Sequence, residues 1–201
     1  MLPASFGLRP ATPADAAAIA AVQTTSWAET YRGHMPGGFL DQMTGEAARE
    51  RRALQWQHTL APHMEADRTP DIVTVAEQAG RVVAFASAGA TRLHTVIPGD
   101  YDAELYTLYA LKSVHGLGLG RRLVAASAAA LHVRGFVGLA LWVLDVNPTR
   151  AFYRHLGGQE LGRKTDEVPG GTLTEVALGW RDLTALLAGG PASGEASSGQ
   201  P

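Results

Sequence analysis

Apolar and polar residues change their spacing several times along the chain, and each change marks an element. Residues 6–9 form a short apolar start with the pattern of a strand. Thr12-Pro13-Ala14-Asp15 reads as a helix start: Thr12 can cap, proline fits the first helical position, and Asp15 faces the positive end of the helix dipole. That helix is expected to run to about Tyr31, with Pro36-Gly37-Gly38 breaking the chain after it. Residues 44–57 read as a second helix capped by Thr44 or Gly45. Two β-rich runs, 71–76 and 81–86, flank Gln78-Ala79-Gly80, which predicts a hairpin. Residues 91–102 read as a loop, and ELYTLYAL at 104–111 as the strongest strand. A glycine-rich turn at 116–120 leads into Leu119–Val133, which is apolar at helical spacing. GLALWVL at 138–144 is continuously apolar, the pattern of a buried strand parallel to its predecessor. A short helix at 148–156 ends at Gly157-Gly158, and late strands are expected at 159–164 and 173–180. The sum is one mixed α/β (α+β) domain over 1–188, a single sheet with helices on both faces. The small, polar stretch at 189–201 reads as a disordered tail.

Composition narrows the function. A net charge of −2 over 201 residues gives no basic field for nucleic acid. The absence of cysteine excludes a disulfide framework, a thiolate zinc site and a cysteine nucleophile, and sits easily with a cytoplasmic location. No apolar run approaches the ~20 residues of a membrane helix, so no membrane association is expected. The alanine-rich stretch at 11–22 is interrupted by Asp15 and follows no basic segment, unlike a signal peptide. The seven histidines form no metal pattern: His58 and His63 are five apart, no H-E-x-x-H occurs, and no metal is expected. His94 falls in the loop before the 104–111 strand, where a solvated loop histidine is favoured over a group on a ligand's approach.

The chemistry concentrates at His115-Gly116-Leu117-Gly118-Leu119-Gly120-Arg121-Arg122, between a strong strand and a strong helix. Glycines there let a ligand reach the backbone N–H groups, the helix start adds positive potential, and Arg121 and Arg122 add full charges, a set suited to pyrophosphate. The same glycines also suit a tight turn with no ligand. A dinucleotide fingerprint fails on glycine spacing, and no glycine-lysine-serine/threonine triplet exists for a P-loop.

The spacing His115-x-x-Gly118-x-Gly120, after a strand of the form L-Y-x-L, resembles the coenzyme A pyrophosphate motif of the GNAT acetyltransferase superfamily, with His115 in place of glutamine or arginine and Lys112 where many relatives have proline. The run from Leu141 through Asn147 and Phe152-Tyr153 to Gly157 resembles that family's second motif, and Ser26-Trp27-Ala28-Glu29-Thr30-Tyr31-Arg32-Gly33 its first-helix region. The resemblance covers about 6–183 and implies a mostly antiparallel sheet of six to seven strands with one splayed parallel pair. It implies acetyl-CoA as co-substrate, held by Leu108, Tyr109, Ala110, the loop His115, Gly116, Leu117, Gly118, Leu119, Gly120 and Arg121, and by Asn147 and Tyr153. It implies direct attack of an amine on the thioester, with Tyr153 as general acid and a backbone amide near Leu108 or Tyr109 for the oxyanion. Period two puts Glu104, as base acting through water, on one strand face with Tyr106, Leu108 and Ala110; Tyr106 and Tyr109 then point to opposite faces. Trp27 and Tyr31, four apart on one helix face, serve either as acceptor-pocket wall or as a core pair, and Asn147 either holds the pantetheine arm or caps the following helix. The acceptor is expected to be an amine of a small molecule or peptide. A catalytically inactive coenzyme A-binding regulator is the alternative, and a homodimer is left open.

Overall fold

The chain folds in the order β1 (Gly7–Pro10), α1 (Ala16–Tyr31), α2 (Gly37–Thr44), α3 (Glu46–Leu60), β2 (Ile72–Gln78), β3 (Arg81–Ala90), β4 (Ala103–Ala110), α4 (Leu119–Val133), β5 (Leu139–Leu144), α5 (Thr149–His155), β6 (Gln159–Val168), β7 (Gly171–Trp180) and α6 (Thr184–Leu187). The computed structural model describes residues 5–35, 37–61, 71–92 and 96–187. The tail expected at 189–201, His63 and His94 lie outside them.

Seven strands form one sheet in the order β1-β2-β3-β4-β5-β7-β6. Every neighbouring pair is antiparallel except β4 and β5. That parallel pair is joined only at Ala103–Leu139 and Glu104–Ala140. Beyond it the strands part, so 105–110 and 141–144 have no mutual ladder. One sheet face packs under α4 and α5 through Leu105, Leu119, Leu123, Leu131, Leu141, Val143 and Tyr153. The other packs under α1 and α3 through Ile19, Val22, Trp56, Val73, Val75 and Phe85.

The β2–β3 hairpin turns on Ala79-Gly80, both at positive φ (50° and 75°), the conformation that lets a two-residue turn follow the twist of its strands. The break expected after α1 is present, but α2 was not expected: Gly37 opens it directly after the break, and Leu40 packs with Tyr31 and Met35 and rewards a helix there. The helix expected over 44–57 is α3, with Gly45 as its N-cap as expected, and α2 precedes it as a separate helix ending at Thr44. A Cβ at Gly45 would come within 3.0 Å of the Asp41 carbonyl, so the corner is closed to larger residues.

Candidate active site

The opening between β4 and β5 is made sharper by a register shift in β4. Ser87 pairs with Thr107 but Ala88 pairs with Leu105, so Tyr106 is the extra residue of a β-bulge. Cross-strand partners share a face. Leu105, Leu108 and Ala110 therefore lie opposite Ala88, Ala86 and Ala84 on the α4 face, whereas Glu104, Thr107 and Tyr109 lie on the α1 face with Gly89, Ser87 and Phe85. This corrects the period-two expectation: Glu104 does not share a face with Leu108 and Ala110. Tyr106 and Tyr109 are not on opposite sides either; both line one cavity on the α1 side. The Tyr106 hydroxyl donates to the Ala90 carbonyl (2.6 Å) and covers Gly89, where a Cβ would lie only 2.6 Å from that oxygen.

Backbone direction along β4 follows from one bond. The Leu111 amide donates to Val83 on β3 (3.0 Å). By alternation, Leu108 and Ala110 turn their N–H and C=O groups into the opening, and the backbone of Tyr109 faces β3. The Ala110 carbonyl there accepts from Ser26 Oγ (3.1 Å) and meets His115 Nε2 (3.0 Å).

Two cavities meet at this opening. The one on the α4 and α5 side, about 350 Å³, is lined by Gly116, Gly118, Leu119, Gly120, Arg121 and Phe152 among others; the one reaching the α1 side, about 390 Å³, includes Trp27, Tyr31, Glu104, Tyr106, Tyr109 and Asn147. Leu108, Ala110, His115, Thr149 and Tyr153 line both. Leu117 is exposed and lines neither.

The first cavity fits an anion. Gly116 and Gly118 both have φ of +74°, and space beyond each is open, so the loop presents bare backbone. Gly118 caps α4 without a side chain, leaving the first helical amides free of intrahelical partners. The first turn carries no acid, and Arg121 and Arg122 follow at once. Cations at a helix N-terminus oppose the macrodipole, and a bound phosphate relieves that conflict. Arg121 lines the cavity, whereas Arg122 donates to the Phe6 carbonyl (3.1 Å). At Gly120 a Cβ would press on the Phe152 ring at 3.3 Å, so the close packing of α4 on α5 leaves little room for a side chain.

The second cavity is aromatic and charge-balanced. Trp27 Nε1 donates to the Tyr109 hydroxyl (2.8 Å), and the Trp27 and Tyr31 rings meet edge-on at 5.1 Å, so this pair both packs and lines the cavity. Asn147 Nδ2 donates to the Tyr31 hydroxyl (2.6 Å) while Asn147 Oδ1 accepts from the Thr149 amide (2.9 Å); the residue starts α5 and ties it to α1. Burial raises the pKa of Tyr31, Tyr109 and Tyr153, so all three phenols are neutral at ordinary pH. The Tyr153 hydroxyl has no hydrogen-bond partner among the described residues, and its ring packs on Phe152 and Trp180. Two ion pairs complete the walls: Arg92 with the buried Glu104, and Lys164 with Glu175 (2.8 Å) across β6 and β7. Arg92, Lys164 and Glu175 were not singled out from the sequence as site residues. They reach the site through strand register and loop return, which local spacing does not encode.

A nucleotide-sized cradle on one sheet face, open through parted strands to a separate aromatic cavity on the other, suits one class of protein: acyltransferases that pass an acyl group from coenzyme A to an acceptor. Comparison with known proteins bears this out. Residues 82–167 match the model of the family described as FR47-like protein. The chain is 32% identical over 169 residues to YuaI, an uncharacterized N-acetyltransferase of Bacillus subtilis (strain 168), covering 84% of this chain and 88% of that one. Among solved structures it resembles an N-acetyltransferase from Staphylococcus aureus Mu50 (TM-score 0.64, 17% identity, 89% of this chain and 99% of that one). It also resembles yncA of Salmonella typhimurium, solved with acetyl-CoA as its cofactor (TM-score 0.60, 20% identity, 96% and 99%). The chain belongs to the GNAT superfamily of acetyl-CoA-dependent N-acetyltransferases. Among the described residues no His, Cys, Asp and Glu side chains cluster as metal ligands, and no helix is long and apolar enough to cross a membrane.

Proposed function

We propose that this chain transfers an acetyl group from acetyl-CoA to a primary amine of a small molecule or peptide, and that Tyr153 and Glu104 serve the two proton transfers. The observation that carries this reading is the junction of the two cavities at Leu108, Ala110 and Tyr153. The diphosphate sits on the amides of 118–121 beside Arg121, and the thiol arm runs along the unpaired edge of β4 at Leu108 and Ala110. Acetyl-CoA supplies an activated thioester. The amine nitrogen bonds to the acetyl carbon, the carbon–sulfur bond breaks, and the nitrogen's proton is released as the sulfur takes one up. Leu108 N–H, turned into the opening, stabilises the oxyanion. An alkyl ammonium with a pKa of about 10 must lose a proton before it attacks. Glu104 lies on the acceptor face, and both its oxygens are engaged by Arg92, so it receives that proton through water. Tyr153, neutral because buried, gives its proton to the departing sulfur. Asn147 orients Tyr31 and the start of α5. The cytoplasm, where acetyl-CoA is made, is the proposed place of action.

The test is thiol release from acetyl-CoA with a panel of primary amines, each product weighed by mass spectrometry. N-acetylated product in step with thiol supports the reading. Coenzyme A binding with no thiol release from any amine refutes it in favour of a binding protein.

A further inference from the structure

Arg92 is the feature of the acceptor cavity that the transfer chemistry does not use. It follows the end of β3, and three contacts fix it. Its Nε donates to Glu104 Oε2 (3.2 Å), its Nη2 to Glu104 Oε1, and its backbone amide to Glu104 Oε2 (3.2 Å). Its guanidinium lies 4.5 Å from the Tyr106 ring centroid. The two partners differ in exposure: the Glu104 side chain is 1% exposed and that of Arg92 59%. A molecule entering the cavity therefore touches the guanidinium directly and reaches the carboxylate only through water. Only the Nε/Nη2 edge is spent on Glu104; Nη1 has no partner among the described residues. On the opposite wall Lys164 is already held by Glu175 at 2.8 Å, with Asp166 at 3.8 Å. A guanidinium with one edge pinned and one ring face covered is pre-organised to take a planar anion on its remaining edge.

Resting on the acetyltransferase reading above, we propose that the acceptor is a primary amine that also bears a carboxylate, an amino acid or close analogue, and that Arg92 binds this carboxylate. Glu104 pairs with Ala140 at the last joined position of the parallel strands, so Arg92 sits at the closed end of the opening. From there to Leu108 is about 10–13 Å along the strand. The long arginine side chain and a small amino acid together span that gap.

The experiment compares matched acceptors: amino acids of increasing amine-to-carboxylate separation, each beside its carboxamide and its decarboxylated amine. Wild-type enzyme should favour the acid of at least one pair by about 10- to 100-fold in kcat/KM, the size expected of a charge-assisted pair. Arg92→Lys keeps a cation for Glu104 but loses the fork. It should cancel most of that preference by raising KM for the acid more than for its neutral amide. Equal or better turnover of the neutral partners throughout overturns the proposal and leaves the acetyltransferase reading intact. So does an Arg92→Lys enzyme whose kcat falls alike on acid and amide, since that marks Arg92 as a support for Glu104 alone. No transfer to any amine removes both.

Discussion

Replacing Tyr153 with phenylalanine isolates one atom whose loss the fold does not feel. The hydroxyl has no hydrogen-bond partner among the described residues, and the ring keeps its packing on Phe152 (5.1 Å between centroids) and Trp180 (6.5 Å). Thermal or chemical denaturation should therefore give wild-type midpoints, and coenzyme A affinity should hold, because the phosphate cradle is built from the backbone amides and Arg121 of 116–121, which the substitution leaves in place. The chemical step is another matter. A positioned general acid contributes about 10²–10⁴-fold, so kcat and kcat/KM should fall together by about 100-fold or more, roughly 2.7 kcal/mol of barrier. Burial raises the Tyr153 pKa, so its acid form is fully present below that raised value. Wild-type activity should then show no loss through Tyr153 between about pH 7 and 10, the range up to where an ordinary phenol ionises. Steady-state thiol release across pH, beside denaturation curves, checks both parts. A Tyr153→Phe enzyme within about threefold of wild-type kcat, at equal stability, would refute the assignment.

Two further predictions concern the frame that holds the site. Ala79 sits at φ 50° in the β2–β3 turn, a conformation that costs an L-residue about 1–2 kcal/mol. Ala79→Gly should raise stability by about 0.5–1 kcal/mol once the added freedom of the unfolded chain is subtracted, and a lower urea midpoint would contradict this. Asp15 accepts two bonds from Arg9 (2.7 and 2.8 Å) and one from the Thr12 amide (2.7 Å), which hold its pKa far below the ordinary carboxylate value, chiefly through Arg9. Its contribution is present above the unfolded value of about 4 and is lost as pH falls through the folded one. Asp15→Asn should cost about 1 kcal/mol at neutral pH, solvent screening at the half-exposed Arg9 having reduced it. It should also flatten the decline in stability below about pH 4; an unchanged acid limb in calorimetry would count against the pairing.

Local signals carried much of this structure. The apolar period of Leu119–Val133, the continuous run at 139–144 and the turn at Ala79-Gly80 each became the element their pattern implies, because nearby contacts dominate there. The glycine loop was legible for the same reason: positive φ at Gly116 and Gly118 is written in residue type. The bulge at Tyr106 was not, since it exists only in register against β3, where Ser87 and Ala88 take Thr107 and Leu105 as partners. That one inserted residue moved Glu104 to the acceptor face and brought Tyr106 beside Tyr109. Arg92 was hidden by the same cause. Its partner is twelve residues on, across a loop whose return path the spacing does not specify. Helix α2 was missed because Gly37-Gly38 weighs against helix locally, whereas the burial of Leu40 beside Tyr31 decides for it.

The account rests on a thiol arm lying along the parted edge of β4, and amide hydrogen exchange reads that edge directly. With saturating coenzyme A, exchange should slow at residues 105–110 and at 116–121, while the β6–β7 hairpin keeps its rate. Binding that leaves the amides of Leu108 and Ala110 exchanging as in the free protein would contradict it.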